Sequence, residues 1–116
     1  MIRQQHLTAT ALEAVNQQAN VEDAKTLCHN ACAWLSQNGL AAGIDAIIRY
    51  QHKDISAWLI NSYQEVLLRL GYQRSRDFRA WALSLDSLSN LRVNEILIEY
   101  THMLTRLVRL RKDNVL

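Results

Sequence analysis

The chain has 116 residues, of which 49% are hydrophobic and 21% charged, and it contains no proline and only three glycines. That length suits one domain of roughly 100–150 residues, and the apolar fraction excludes an intrinsically disordered chain. Because β-sandwiches and barrels need many turns rich in glycine and proline, the composition predicts an all-α protein. We expect residues 1–116 to form one single-domain bundle of five to six helices.

The net charge of +2 is unevenly distributed along the chain. Residues 1–66 carry four Lys and Arg against six Asp and Glu, whereas residues 67–116 carry nine against five. Ten of the thirteen basic residues are arginine, whose planar guanidinium group suits phosphate better than the point charge of lysine. A basic C-terminal half is typical of a protein that binds a polyanion or an acidic partner, and also of a solvated helix surface with a cationic last turn.

No apolar run approaches the roughly 20 residues that a transmembrane helix needs. The first six residues also lack the apolar core of a secretory signal. We therefore expect a soluble, cytoplasmic protein that does not associate with a membrane.

Apolar residues spaced three and four apart predict three helices in the first half of the chain. Asn20 is a suitable N-cap for the second helix, and Asn38-Gly39 ends it, since a left-handed residue after a helix is usually glycine. Gly43 would let the third helix approach a neighbour closely. The inward faces of the three helices are predicted to carry Leu7, Ala11, Ala14 and Val15, then Leu27, Cys28, Trp34 and Leu35, then Leu40, Ile44, Ile47 and Ile48.

The same spacing of apolar residues predicts three more helices in the second half of the chain. Asp54 is a suitable N-cap for the fourth helix and Gly71 closes it, and a short helix follows. The last helix runs from about Ser89 to Arg111, which is roughly 34 Å at 1.5 Å per residue. Its outer stripe comprises Arg92, Glu95, Glu99, His102, Arg106, Arg109 and Asp113. The core is predicted to include Leu27, Trp34, Leu35, Ile44, Ile47, Trp58, Leu59, Val66, Leu67, Leu97, Tyr100, Leu104 and Leu107, with Phe78, Trp81, Ala82 and Leu85 inward on the short helix.

Cys28 and Cys32 lie one helical turn apart with His29 between them. Two thiolates and a histidine could begin a zinc site, but a structural zinc site has four ligands, and the other histidines are widely spaced. Two cysteines four apart in one helix are also poorly placed for a disulfide. We expect both to be reduced, buried apolar residues, and we expect no metal ion or cofactor.

The sequence contains no motif that assembles an active site. It has no glycine-rich phosphate loop, no His-Glu-x-x-His pair and no Cys-x-x-Cys motif. Glu95 and Glu99 are one turn apart, but between Arg92 and Arg106 they are predicted to be surface ion-pair partners. We therefore expect a binding or assembly subunit and not an enzyme.

The order of these features resembles the small helical subunit of the type III-B CRISPR effector, the Cmr complex. In that family the second helix runs into an Asn-Gly-Leu-x-x-x-Leu segment, which corresponds here to Asn38, Gly39, Leu40 and Ile44. A Trp-Leu helix follows at residues 58–59. The family's last helix carries a Glu near its start and an apolar-apolar-Lys-Arg-apolar group near its end, and Glu95 and residues 103–107 resemble these, with threonine at position 105 in place of the usual basic residue.

The resemblance implies a non-catalytic subunit that stacks in several copies as a minor filament in the effector. Its expected partners are further copies of itself, the repeated backbone subunit that cleaves RNA, the large polymerase-like subunit, and the guide and target RNA. Backbone contacts to the guide–target duplex need arginines spaced along a helical face and no base-reading chemistry. The candidate RNA-binding residues are Arg74, Arg76 and Arg79 on the short helix and Arg92, Arg106 and Arg109 on the last helix.

Two other classes of function remain as alternatives. The first is a protein-only adaptor or chaperone whose helices grip an apolar segment of a partner. The second is a helix-turn-helix regulator that places Arg74 to Arg79 on duplex DNA, which requires a turn of three to four residues such as Tyr72–Ser75 between two helices.

Overall fold

The computed structural model describes residues 2–114. These residues contain helices and their connections and no β-strand, so the predicted all-α bundle of five to six helices is confirmed. No helix in this range combines the length and the hydropathy that crossing a bilayer requires. The helices are α1 (Ile2–Gln17), α2 (Val21–Asn38), α3 (Leu40–Ile48), α4 (Lys53–Arg69), α5 (Phe78–Ser84) and α6 (Ser87–Lys112).

The connection between α1, α2 and α3 follows the predicted caps. The Asn20 side chain accepts a hydrogen bond of 3.2 Å from the backbone N–H of Asp23 at the start of α2. Gly39 has φ of +86°, a conformation that glycine adopts without steric cost, and α3 begins at the next residue. The Gly39 N–H donates to the Leu35 carbonyl at 3.1 Å and so closes α2.

Two helix starts differ from the prediction. α4 begins at Lys53, so Asp54 lies in its first turn and His52, whose side chain makes no capping bond, occupies the N-cap. α6 begins two residues earlier than predicted, because Asp86 is its N-cap and accepts a 2.7 Å bond from the Ser89 N–H. This bond to the charged form lowers the pKa of Asp86 below its usual value.

The six helices share one hydrophobic core. α6 packs against α2 and α1, α4 packs against α1, α2 and α3, and α5 lies on α3. α3 approaches α2 closely at Gly43, because a Cβ atom at this position would lie 2.7 Å from Cδ2 of Leu35. The prediction that Gly43 permits close packing is therefore confirmed.

Ten of the thirteen predicted core residues are buried, and the exceptions are Trp34, Trp58 and Leu107. These three are half-buried and pack against the edge of the core. The indole N–H of Trp58 donates to the Ala14 carbonyl at 2.9 Å, which keeps the ring at the α1–α4 boundary. A tryptophan commonly lies at such an edge, because its ring is apolar but its N–H needs a hydrogen-bond partner. The spacing of apolar residues along a helix does not distinguish a position at the edge of the core from one in its interior.

Three further apolar residues predicted to face inward are more exposed than expected. On α5, Phe78 and Ala82 are buried, whereas Trp81 is half-buried. Leu85, which follows α5, is also half-buried, and Ile48 at the end of α3 is 36% exposed. Ile48 and Leu85 lie at the ends of short helices, where fewer neighbouring elements are available to cover them.

Candidate nucleic-acid interface

The outer face of α6 carries three arginines without an ion pair in the described part of the chain. Arg92, Arg106 and Arg109 are exposed, and none binds a carboxylate among residues 2–114. Arg106 and Arg109 are three residues apart and share one face of the helix. Their predicted position on an outer stripe is confirmed, whereas their contact with RNA remains a prediction.

A groove of about 670 Å³ between α2 and α6 brings Arg106 and Arg109 together with polar groups from the neighbouring helix. We refer to it as the α2–α6 groove. Neither aspartate nor glutamate is among its lining residues, whereas two arginines and two histidines are, so the local charge favours an anion. The lining residues are His29, Cys32, Ala33 and Ser36 from α2 and His102, Thr105, Arg106, Arg109 and Leu110 from α6.

The two cysteines differ in environment. Cys28 is fully buried in the core, and burial raises the pKa of its thiol well above the usual value. Cys32 is only half-buried, contrary to prediction, because it lines the α2–α6 groove, where its Sγ lies 3.6 Å from Nδ1 of His102. Partial burial raises its pKa as well. Both thiols are free, and within residues 2–114 no group of three or more His, Cys, Asp or Glu side chains is arranged to hold a metal ion.

A second, adjoining groove lies on the α1 side of α6 and contains two glutamates beside Arg106. It is lined by Gln4, Glu95, Ile98, Glu99, His102, Met103 and Arg106. The prediction that Glu99 is a surface ion-pair partner is confirmed, because its carboxylate is bound at 2.7 Å by Arg3 of α1, whereas Glu95 forms no ion pair within residues 2–114. The Glu99 carboxylate is therefore already neutralised by a cation from another helix.

The three arginines assigned to the short helix are placed differently from the prediction. Arg74 and Arg76 are exposed and lie in the connection before α5, which begins only at Phe78. Arg79 is on α5, but its guanidinium group binds the Asp45 carboxylate of α3. This hydrogen bond lowers the pKa of Asp45. Arg79 therefore joins α5 to α3, and a phosphate would have to compete with Asp45 for it.

Other cations of the basic C-terminal half join helices to one another. Arg111 donates to the Val15 carbonyl at the end of α1, and Lys112 binds Glu22 of α2 at 2.6 Å. Arg69 binds Glu13 of α1 at 2.5 Å and Glu65 on its own helix at 3.2 Å. Many of the basic side chains after residue 66 therefore bind other residues of the fold.

The groove also contains residues that the sequence did not identify as candidates. His29 and His102 are 73 positions apart in the chain, and Ser36 and Thr105 contribute hydroxyl groups. His29 lies between the two cysteines, which was a signal for a metal site and not for a phosphate site. Only the packing of α2 on α6 brings these side chains to Arg106 and Arg109.

No protein-family model, curated protein or solved structure matches the chain.

Proposed function

We propose that the chain is a non-catalytic small subunit of a type III-B CRISPR effector and that it contacts the backbone of the guide–target RNA through α6. The observation that carries this proposal is the α2–α6 groove, where Arg106 and Arg109 lie exposed beside two histidines and no carboxylate lines the surface. The proposed family rests on the sequence resemblance to the Cmr small subunit. The proposed RNA contact rests on the groove, whose cationic side chains suit phosphate. Partners would be further copies of the chain, the backbone and large subunits, and RNA.

The shape of the charged surface suits backbone contacts. α6 has 26 residues and is therefore about 39 Å long, and Arg92 is separated from Arg106 by about 21 Å along its axis. Arginines spaced in this way can bind phosphates at separate points of one nucleic acid. Phosphate contacts position a nucleic acid without reading its sequence, so we expect binding with no sequence preference.

The proposed contact is tested by the salt dependence of binding to single-stranded RNA. Each phosphate neutralised on a single strand contributes a slope of about −0.7 to log K against log salt concentration. Replacing Arg106 and Arg109 together with alanine should therefore flatten the slope by about 1.4 and weaken binding. Both side chains are exposed, so far-UV circular dichroism of the variant should remain that of the wild type.

A matched control removes the same charge from another face. Arg49 is 75% exposed and pairs with Asp45, and Lys53 donates to the Ile48 carbonyl. Replacing Arg49 and Lys53 with alanine lowers the net charge by two, as the α6 double variant does. An equal loss of affinity in both double variants, or an unchanged slope in the α6 variant, would contradict the assignment of the contact to the groove.

A protein-only adaptor is the second candidate, and exposed leucines favour it. Leu83 on α5 is 68% exposed, and Leu88 and Leu91 on α6 are 58% and 60% exposed. Exposed apolar side chains of this size often mark contacts with a partner. An adaptor would retain its protein partner after nuclease treatment and lose it when Leu88 and Leu91 are replaced with serine, with no effect of the Arg106 and Arg109 substitutions.

The helix-turn-helix alternative receives less support from the fold. The connection between α4 and α5 spans residues 70–77, eight residues instead of the three to four of that motif. α5 itself has only seven residues, and its one arginine is bound to Asp45.

A further inference from the structure

We propose that the α2–α6 groove is a proton-linked phosphate site, in which His29 and His102 take up protons and add their charge to that of Arg106 and Arg109. Binding of the RNA backbone would then strengthen as the pH falls from about 8 to about 5.5, the range in which histidine changes its charge. This inference rests on the proposed function, because the phosphate is taken to be that of RNA.

The geometry places both imidazoles at the groove. His29 and His102 are exposed and line it from opposite helices, next to the two arginines. Nδ1 of His102 faces the Cys32 thiol at 3.6 Å, and within residues 2–114 its Nε2 has no hydrogen-bond partner. Neither imidazole forms an ion pair with a carboxylate among the described residues, so both rings are open to a bound phosphate.

The charged groups around the two histidines set the direction of the effect. On α6, Arg106 lies one turn after His102, and Glu99, one turn before it, is bound by Arg3 of α1. A bound phosphate would offset the positive charge that protonation of the two imidazoles adds to the groove. Because linkage is reciprocal, protonation must then raise the affinity for phosphate. The titratable and charged groups around the pair are Cys32 from α2, Glu95, Glu99, Arg106 and Arg109 from α6, and Arg3 from α1, which binds Glu99.

His52 provides a matched control. It is exposed and lies 3.7 Å from the Asp23 carboxylate, at the start of α4 and outside the groove lining. A pH effect that arises from general titration of the protein would respond to the loss of His52 as much as to the loss of a groove histidine.

The experiment measures the salt slope for poly(U) at pH 8 and at pH 5.5, where uracil and phosphodiester groups keep their charge. Each added imidazolium contact contributes about −0.7, so the slope should become steeper by about 1.4 between pH 8 and pH 5.5. Replacing His29 and His102 with glutamine should hold the slope at its pH 8 value at both pH values, while His52→Gln should behave as the wild type. Thermal melts at both pH values verify that each variant is folded.

Two results would overturn the proposal: a wild-type slope that is equal at both pH values, or a pH effect that survives loss of His29 and His102. If the slope at pH 8 requires Arg106 and Arg109 but does not change with pH, only the proton linkage is wrong. If the arginine substitutions have no effect at pH 8, the proposed RNA contact is wrong as well.

Discussion

Replacing Trp58 with phenylalanine tests how α1 is attached to the bundle. The last four carbonyl groups of a helix lack partners within it, and α1 has neither a following glycine nor a basic residue in its last turn. The Ala14 carbonyl accepts from the Trp58 indole at 2.9 Å, and the Val15 carbonyl accepts from Arg111 of α6. Donors from α4 and α6 therefore cap α1, and the phenylalanine variant removes one of them while retaining an aromatic ring.

The expected destabilisation follows from that bond. A net hydrogen bond contributes about 0.5–1.5 kcal/mol, and the smaller ring loses roughly 0.5 kcal/mol of packing at this half-buried position. The total is about 1–2 kcal/mol. With an unfolding entropy of about 2.1 cal/mol/K per residue, 116 residues give about 4 °C per kcal/mol, so Tm should fall by about 4–8 °C.

Trp34→Phe is the matched control, measured by thermal and urea unfolding followed by circular dichroism. Trp34 is also half-buried, but its indole N–H has no partner within residues 2–114, so only packing is lost and Tm should fall by about 2 °C. Equal decreases in Tm for the two variants would refute the argument that the Trp58 bond caps α1.

Three further predictions concern the core and the caps. Gly43→Ala should destabilise the protein by about 1–3 kcal/mol in urea unfolding, because the new Cβ would meet Leu35 at 2.7 Å; an unchanged midpoint would contradict the close α2–α3 contact. Cys28→Ala should lower stability more than Cys32→Ala, since only Cys28 is fully buried, and elemental analysis should find no zinc; stoichiometric zinc lost in the double variant would establish a metal site. Because the folded state lowers the pKa of Asp86, its charge stabilises the fold above the usual value of 3.8 and this contribution is lost as the pH falls through the lowered pKa. Asp86→Asn keeps the capping oxygen, so it should reduce the loss of Tm on acidification, and an identical acid profile would contradict this.

Helical periodicity and capping signals predicted most of the fold. The Asn20 and Gly39 signals located the ends of α2 because they depend on the backbone of adjacent residues. Periodicity also identified the outer face of α6, on which Arg106 and Arg109 are exposed. It could not distinguish the interior from its edge at Trp58, whose indole bonds to a residue 44 positions earlier.

The site was predicted only in part, because its chemistry depends on contacts between distant residues. The ion pair of Arg79 joins residues 34 positions apart, and no local pattern reveals that this arginine is already bound. His29 reaches the groove only through the packing of α2 on α6. A side chain's exposure follows from helix periodicity, whereas its partner follows from the tertiary structure.

The most direct test of the proposed function is purification of the tagged full-length chain from its native host, followed by sequencing of the bound RNA and identification of the bound proteins. We predict CRISPR repeat-derived guide RNAs together with a large polymerase-like subunit and a repeated RNA-binding backbone subunit. The Arg106 and Arg109 double variant should still assemble, and target RNA should bind its complex more weakly. Recovery of the chain with protein partners but without guide RNA would contradict the account.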